Sequence, residues 1–475
     1  MGSRTAAPGT VFTRNPPPSG VVDAALESVR DACFWLEDVA DAAAYSELTG
    51  TVDADLLVVG GGYCGLWTAV LAKQRNPGAA VVLLEGGSVG WAASGRNGGF
   101  CAASLTHGEE NGRTRWPDEY DVLERMGREN LEGIEQAVAD LGLDCEYERT
   151  GELDVATEPH QVEGLRAGTG TFLDTDAVRA QVNSPTYLAG MLHHDVALVH
   201  PARLAKELAR AVTDLGVQIF ERSPAVSVRA ERGASAVTVR TASGSVRAQR
   251  VALATNVFRS LIPRNRLYTV PVYDYALMTE PLTDEQLRSI GWSNRQGLGD
   301  TANLFHYYRL SADNRILWGG YDAVYRYGRQ VKQSYESRPQ THRLLAEHFF
   351  TTFPQLEGLR FSHQWAGAID TSTRFCAFYG LAKQGRVAYA AGFTGLGVGA
   401  TRFAADVMLD LLSGESTRRT ELAMVQERPL PFPPEPIASI GIQTTRWALQ
   451  RADQREGRRN LWLRTLDAAG LGFDS

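Results

Sequence analysis

The spacing of apolar residues changes period twice in one short stretch near the start of the chain. Residues 55–59 are almost continuously apolar, the glycine-rich segment Gly60-Gly-Gly-Tyr-Cys-Gly65 follows, and residues 66–71 are again mostly apolar. A second apolar run, 81–84, ends directly before Glu85. This order predicts a buried strand, a tight turn, a helix and a second buried strand that stops at an acidic residue.

The three glycines of this turn predict a dinucleotide-binding site. Gly60 permits the tight turn, Gly62 lets a pyrophosphate approach the backbone, and Gly65 lets the helix pack closely against the strand. The helix N-terminus offers free N–H groups to phosphate. Glu85 stands where a carboxylate accepts hydrogen bonds from a ribose. A GxGxxG motif alone is weak, and the strand–helix–strand context makes it specific.

The pattern of strands and helices returns later in the chain. A helix is predicted over 201–215, strands over 216–220 and 226–254, and a strand, a glycine loop and a helix over 387–412. The stretches between them are β-rich, including strand 271–278 and a hairpin over 305–319. The nucleotide-binding pattern is therefore interrupted twice.

We predict an α/β fold with a discontinuous Rossmann-like FAD-binding domain and an inserted α+β substrate domain built on an antiparallel sheet. The predicted division is an N-terminal extension (1–52), the cofactor domain (53–106, 198–262 and 363–415), the substrate domain (107–197 and 263–362) and a C-terminal extension (416–475). A nicotinamide dehydrogenase usually keeps its Rossmann strands contiguous, whereas a flavoprotein often does not, which favours FAD.

Composition narrows the classes of function. The chain has 475 residues, 44% of them hydrophobic and 22% charged, and a net charge of −7, which fits a globular protein and argues against a nucleic-acid surface. Five widely spaced cysteines form no CxxC pair and favour a reducing compartment without a metal site. Residues 1–20 lack a signal-peptide core, and no apolar run reaches the ~18 residues of a membrane helix. We expect a cytoplasmic protein with no membrane span.

A second glycine-rich segment carries a family resemblance. The sequence Gly86-Gly-Ser-Val-Gly-Trp-Ala-Ala-Ser94-Gly95-Arg96-Asn97-Gly98-Gly99, taken with the first turn, resembles the D-amino-acid oxidase / glycine oxidase superfamily of FAD enzymes, and within it the group of gamma-glutamylputrescine oxidoreductases. The resemblance covers about 50–415, and also rests on 307–315, on 365–370 and on 392–398. It implies FAD-dependent oxidation of a primary or secondary amine, either an amino acid or a polyamine derivative, with oxygen or another electron acceptor.

The resemblance also implies roles for individual residues. Gly60, Gly62 and Gly65 would face the pyrophosphate and Glu85 the adenosine ribose. Ser94, Arg96, Asn97 and Gly98 would form a loop beside the flavin and pyrophosphate. Val226 would offer its backbone to adenine, and Thr255 would lie near the phosphates. The last loop, with Gly392, Gly395, Leu396 and Gly397, would lie under the pyrimidine end of the isoalloxazine.

The flavin is predicted to be non-covalent. The cysteine that carries a covalent flavin in some members of the superfamily aligns with Gly367, and the loop 94–99 contains no histidine. The lysine that assists oxygen activation in sarcosine-oxidase-like members aligns with Trp318. Fast reaction with oxygen is therefore not implied, and the electron acceptor stays open.

The candidate substrate residues come from the β-rich segments. Oxidation requires a neutral amine, which a desolvating pocket with aromatic walls would favour. Tyr273 and Tyr275 alternate onto one face of a predicted strand, as do His306 and Tyr308 on another, and Phe393 would border the flavin. These five residues are the candidate catalytic group. The alternative is that the tyrosines and the histidine are ordinary sheet residues.

Two other functions remain open at this stage. An aromatic-hydroxylase type of flavin monooxygenase shares the first glycine motif, but would need a late Gly-Asp-Ala loop where this chain has Gly392-Phe-Thr-Gly-Leu-Gly. A non-catalytic flavin-binding scaffold protein would instead act through the arginine-rich tail, 446–464. That tail predicts either a basic helix that meets a membrane surface or acidic partner, or a helix docked on the protein.

Overall fold

The structure, a computed structural model, describes residues 9–42, 44–230 and 236–472. Its strands, in chain order, are β1 (Arg30–Asp31), β2 (Gly50–Val59), β3 (Val81–Leu84), β4 (Phe100–Ala102), β5 (Glu152–Ala156), β6 (Thr171–Leu173), β7 (Ala189–His193), β8 (Val196–Leu198), β9 (Gln218–Phe220), β10 (Ser227–Ala230), β11 (Val237–Arg240), β12 (Gly244–Leu253), β13 (Thr269–Thr279), β14 (Gly297–Asp300), β15 (His306–Leu310), β16 (Ile316–Gly320), β17 (Val324–Tyr325), β18 (Phe361–Ser372), β19 (Phe378–Ala382) and β20 (Val387–Ala391).

Helices connect and cover these strands. In chain order they are α1 (Val11–Arg14), α2 (Ser19–Leu26), α3 (Phe34–Asp38), α4 (Tyr63–Arg75), α5 (Ala93–Arg96), α6 (Glu109–Arg115), α7 (Tyr120–Asp140), α8 (Gln161–Ala167), α9 (Thr175–Gln181), α10 (Pro201–Asp214), α11 (Asp284–Ile290), α12 (Pro339–Thr352), α13 (Gly397–Ser413), α14 (Arg418–Glu421), α15 (Ala423–Gln426), α16 (Ile437–Asp453) and α17 (Leu461–Ala468). Short 3₁₀ turns lie at Pro263–Leu267, Gln333–Tyr335 and Pro354–Leu356. Within the described ranges, none of these helices has both the length and the apolar character that a bilayer crossing demands.

The first sheet has a parallel centre, β20-β12-β2-β3-β9, with the hairpin β10-β11 beside the first half of β12 and β19 beyond β20. Strands buried on both faces read as continuous apolar runs, and all four residues of β3 are buried. Helix α4 packs against α10 and α13 on one face of this sheet. The turn from β2 into α4 and the acid after β3 therefore lie at the carboxyl edge of the parallel strands.

The second sheet is mostly antiparallel, in the order β1-β18-β13-β16-β15-β14-β5-β7-β6. One of its faces is covered by α12 through a core of aromatic side chains that includes Tyr308, Trp318 and Phe349. The fold class expected from the sequence, a Rossmann-like sheet interrupted by an α+β unit on an antiparallel sheet, is confirmed. Strand β18 pairs with β13 along its length. The cofactor domain was predicted to resume at residue 363, inside this strand, but the strand belongs to the second sheet.

The glycine turn after β2 is a close contact of backbone with backbone. Gly60 has φ +115°, and a Cβ there would lie 2.3 Å from the carbonyl oxygen of Ala254 on the neighbouring chain segment. A Cβ on Gly65 would lie 1.8 Å from the carbonyl oxygen of Gly60. The first position needs glycine for its conformation and the second for space, because helix α4 starts directly against the turn.

We expect Gly65→Ala to destabilise the protein. The added methyl group has no room beside the Gly60 carbonyl, and overpacking of this kind costs about 1–3 kcal/mol. Gly164→Ala is the matched control because Gly164 lies inside α8 with no described atom within 4 Å of the added Cβ. Thermal unfolding should show a lower melting temperature for the first variant and an equal or higher one for the second. Equal melting temperatures for both variants would contradict the packing account.

Candidate active site

A cavity of about 1280 Å³ lies where the two sheets meet. On one side it is lined by the ends of β2, β3 and β12, at Gly60, Glu85 and Ala254. On the other side it is lined by the face of the second sheet, including Val272 and Tyr307. Open parallel sheets bind their ligands outside the carboxyl ends of the strands, and this cavity extends from that edge to the antiparallel sheet.

Most of the residues predicted to bind a cofactor line this cavity. Those before residue 98 are Gly60, Gly62, Glu85, Ser94, Arg96 and Asn97. The others are Gly98, Thr255, Gly395, Leu396 and Gly397. Phe393, predicted to border the flavin, also lines it. Gly65 and Gly392 are not among the lining residues. Gly65 packs against the Gly60 carbonyl, and the Gly392 amide donates to Asp370.

Glu85 is a buried carboxylate that orders the turn around it. One carboxylate oxygen accepts a hydrogen bond from the Gly61 amide at 2.6 Å, and the other accepts from the Gly87 amide at 2.7 Å and from the Trp91 indole at 2.9 Å. A carboxylate oxygen has further lone pairs, and Glu85 lines the cavity. The side chain can therefore fix the glycine turn and still accept from a ribose hydroxyl.

The loop 94–99 is fixed by its own side chains. The Ser94 hydroxyl accepts from the Tyr63 amide at 3.0 Å. Asn97 donates to the carbonyls of Ala93 and Ser94 at 2.9 and 3.0 Å and accepts from the Gly99 amide at 2.8 Å. Arg96 pairs with Glu336 at 2.8 Å. The loop is thereby held against the start of α4 and beside the second sheet.

Asp370 holds the last glycine loop in place. Its carboxylate accepts from the amides of Gly392 and Phe393, at 2.5 and 3.2 Å, at the end of β20. Burial raises the pKa of Asp370 to about 7, against these hydrogen bonds, which lower it. The loop leads into α13, whose N-cap is Leu396. The backbone amides of this helix N-terminus are therefore presented at the cavity wall.

The cavity wall fits a bound dinucleotide. The N-cap residues of α4 and α13 are Gly62 and Leu396, and neither caps its helix with its own side chain; Ser94 accepts from the first amide of α4, that of Tyr63. A Cβ on Gly395 or Gly397 would meet no described atom within 4 Å. Two helix N-termini thus offer N–H groups and partial positive charge to the same space. The N-terminus of α4 suits phosphate, and the N-terminus of α13 suits the electronegative edge of a flavin.

Val226 is placed differently from its predicted role. Its side chain is 62% exposed, outside the cavity, and its amide donates to the Arg240 carbonyl at 2.8 Å as the hairpin β10-β11 begins. The backbone N–H is therefore already used in sheet pairing. The neighbouring Pro224 and Ala225 line the cavity instead.

The four polar substrate candidates lie on the opposite face of the second sheet from the cavity. Their side chains are at most 1% exposed. Tyr273 and Tyr275 donate to the carbonyls of Lys332 and Tyr335, and Tyr308 bonds the Tyr187 hydroxyl at 2.7 Å. His306 is held between Asp300 at 2.6 Å and His348 at 2.9 Å. The assignment of the strand face was off by one residue. Trp318 lies on this far face too, in the aromatic core.

The residues that face the cavity are the neighbours of those candidates. On β13 they are Val270, Val272, Asp274 and Ala276, and beside or on β15 they are Phe305 and Tyr307. One sequence signal marks this face: Gly299 and Gly319 are the cross-strand partners of Tyr307. A glycine inside a strand often marks a place where another group approaches closely.

The C-terminal extension supplies a further wall that the sequence reading did not place. Helix α16 lines the cavity with Ile437, Gly441 and Ile442. It is fastened at Asp453, which accepts from the amides of Asn303 and Leu304 at 2.9 and 3.1 Å. Arg446 pairs with Asp322. This part of the arginine-rich tail is docked on the protein.

Comparison with known proteins places this fold and cavity in a family. The family model for FAD dependent oxidoreductases, DAO, matches residues 55–411. Gamma-glutamylputrescine oxidoreductase of Escherichia coli (strain K12) is 31% identical over 403 residues, which cover 82% of this chain and 90% of that protein. A probable oxidoreductase, OrdL, of Haemophilus influenzae is 28% identical over 392 residues, covering 79% and 86%.

Solved structures share the fold at lower identity. Glycine oxidase from Bacillus cereus ATCC 14579 superposes with a TM-score of 0.64 at 19% identity, covering 79% of this chain and 99% of that one. L-Proline dehydrogenase from P. horikoshii gives 0.63 at 16% identity, covering 78% and 96%. The resemblance expected from the two glycine-rich segments, the oxidoreductase class and FAD as the cofactor are confirmed. The chain belongs to the DAO family of FAD-dependent oxidoreductases.

Proposed function

We propose that this protein oxidises a primary or secondary amine, an amino acid or a polyamine derivative, to an imine that hydrolyses to an aldehyde or keto product. The observation that carries the proposal is one continuous cavity that joins the glycine turn of the first sheet to the face of the second. Bound FAD supplies the acceptor for a hydride from the carbon next to nitrogen. The relatives named for glycine, proline and gamma-glutamylputrescine point to the same bond type.

The protein's own residues would prepare the amine for oxidation. Val270, Val272 and Ala276 make this part of the sheet face apolar, and an apolar surrounding lowers the pKa of an ammonium group. The N-terminus of α13, held by Asp370 through the Gly392 and Phe393 amides, would stabilise negative charge that develops on the acceptor side. Gly60, Gly62 and Glu85 would hold the pyrophosphate and ribose, and residues 94–98 the flavin side.

The proposal also covers the compartment, the electron acceptor and the domain division. All five cysteines are free and buried, which suits a reducing compartment such as the cytoplasm. The electron acceptor is oxygen or another oxidant. The division into a cofactor domain and an inserted substrate domain is proposed as well, with β18 (Phe361–Ser372) counted with the second sheet.

We expect the purified protein to be yellow and to lose its flavin absorbance when the right amine is added without oxygen. A panel of alkylamines, polyamine derivatives and amino acids, followed by absorbance near the flavin bands, tests this. Mixing the reduced protein with air then separates an oxidase from a dehydrogenase. Reduction by NADPH but by no amine would support a monooxygenase instead, and flavin that no donor reduces would support a scaffold.

We expect FAD to leave the protein completely on denaturation. Gly367 carries no side chain to which a flavin could attach. Cys376 is fully buried, and burial raises the pKa of its thiol. After acid precipitation and centrifugation, the flavin absorbance should be found in the supernatant. The same treatment of a protein with covalently bound flavin is the control. Flavin that stays in the pellet would contradict the non-covalent assignment.

A further inference from the structure

An aspartate faces the cavity from the middle of the second sheet. Asp274 lies on β13 between Val272 and Ala276, which share its face, and it lines the cavity. Its cross-strand partner on β18 is Gly367, so no side chain covers it from that side. A carboxylate at an apolar wall costs free energy unless something pairs with it.

Tyr307 is the side chain that pairs with Asp274. Its hydroxyl donates to a carboxylate oxygen of Asp274 at 2.5 Å. The tyrosine ring lies flat across the strands, because a Cβ on Gly319 would be 2.6 Å from the ring and one on Gly98 would be 2.7 Å from it. Phe100 packs edge-on at 5.9 Å. The ring position, and with it the orientation of the carboxylate, is therefore fixed by the packing around it.

Among the described residues, no positively charged side chain forms an ion pair with Asp274, and the groups around it act on its pKa in both directions. Its burial raises its pKa to about 6, and the charge of Asp322 acts in the same direction. Tyr307 and the backbone amides of Tyr275 and Gly320 act the other way. Arg96, which lies beyond Gly367, pairs with Glu336. Hydrogen bonds therefore favour the charged form of the carboxylate, and burial and the charge of Asp322 oppose it.

We propose that Asp274, oriented by Tyr307, binds the ammonium group of the substrate and accepts its proton before the carbon–nitrogen bond is oxidised. The inference rests on the proposed amine oxidation and assigns the group that makes the amine neutral. Tyr307 is a positioning residue in this account, because it acts through the carboxylate.

The proton and the electrons are accounted for in two steps. In the first, an N–H bond of the ammonium group breaks, and its proton forms an O–H bond on Asp274. In the second, a C–H bond next to nitrogen breaks, the nitrogen lone pair becomes the second bond of the C=N product, and bound FAD would supply the acceptor for the departing hydride. The first step needs only the carboxylate, and the second uses the oxidant that the family supplies.

The assignment also narrows the substrate class to amines without a carboxylate on the reacting carbon. An α-amino acid bound through its ammonium group would bring its own carboxylate close to Asp274, and like charges at that distance disfavour each other. An alkylamine has no such group. We therefore expect an alkylamine to be preferred over the α-amino acid of the same chain length.

The first test measures binding of a cation that cannot react. 2-Amino-2-methylhexane has no hydrogen on the carbon next to nitrogen, and 2-methyl-2-hexanol is its neutral counterpart. Calorimetric titration of the FAD-loaded protein should show amine affinity that rises with pH through about 6, as Asp274 ionises. Asp274→Asn should weaken the amine at least tenfold at pH 8, remove this pH dependence and leave the alcohol unchanged.

Tyr307→Phe tests the orienting hydrogen bond, and Tyr308→Phe is its matched control. Removing the Tyr307 hydroxyl takes away a bond that lowers the pKa of Asp274, so the rise in amine affinity should move to higher pH. Tyr308→Phe removes a buried hydroxyl from the same strand on the far face, where it bonds Tyr187, and should leave the profile unchanged. If Asp274→Asn does not fold, this pair decides the question alone.

Substrate choice gives the second readout. Anaerobic flavin reduction by n-hexylamine should exceed that by norleucine in the unmodified protein, and Asp274→Asn should reduce this preference at least tenfold. Wild-type amine affinity and an unchanged pH profile in Asp274→Asn would overturn the proposal, as would a profile in Tyr307→Phe that equals the Tyr308→Phe profile. If no amine reduces the flavin, the proposed function fails, but binding of 2-amino-2-methylhexane still decides the role of Asp274.

Discussion

Strand β13 presents alternate side chains to two different surroundings, and the organisation of the active site follows from this two-residue period. Tyr273 and Tyr275 point into the aromatic core under α12 and bond backbone carbonyls there. Asp274 and its same-face neighbours point into the cavity. The far face stabilises the sheet through packing, which leaves the near face free to carry chemistry. A shift by one residue would exchange the two sets.

The two sheets are linked at the cavity by contacts that serve both. The ring of Tyr307, from the second sheet, rests against Gly98 of the loop beside the first. The Trp365 indole on β18 donates to the Arg96 carbonyl at 2.9 Å, and Asp370 on the same strand holds the loop that follows β20. The groups that would position the cofactor and those that would position the substrate are therefore fixed relative to each other.

The sequence predicted those parts of the site that backbone geometry constrains. The turn from Gly60 to Gly65 could be recognised because its spacing and close contacts allow only glycine there. The face of β13 could not, because apolar residues occupy both faces and Tyr273 is as compatible with a cavity as Asp274. Val226 was misplaced because its amide is already used in a hairpin. The wall formed by α16 was not predicted, because this helix lies beyond residue 411, where the match to the family ends.

Two aspartates show how the same physical effect serves different purposes. Burial raises the pKa of both Asp370 and Asp274. The oxygens of Asp370 accept hydrogen bonds from the amides of a loop whose position depends on them. These bonds offset the free-energy cost of burying its carboxylate. Asp274 accepts from the hydroxyl of Tyr307, a side chain that lines the same cavity, and the backbone amides of Tyr275 and Gly320 lower its pKa. Because Asp274 also faces the cavity, its carboxylate can bind a cation there, which the Asp370 carboxylate, bonded to the loop amides, is not placed to do in the same way.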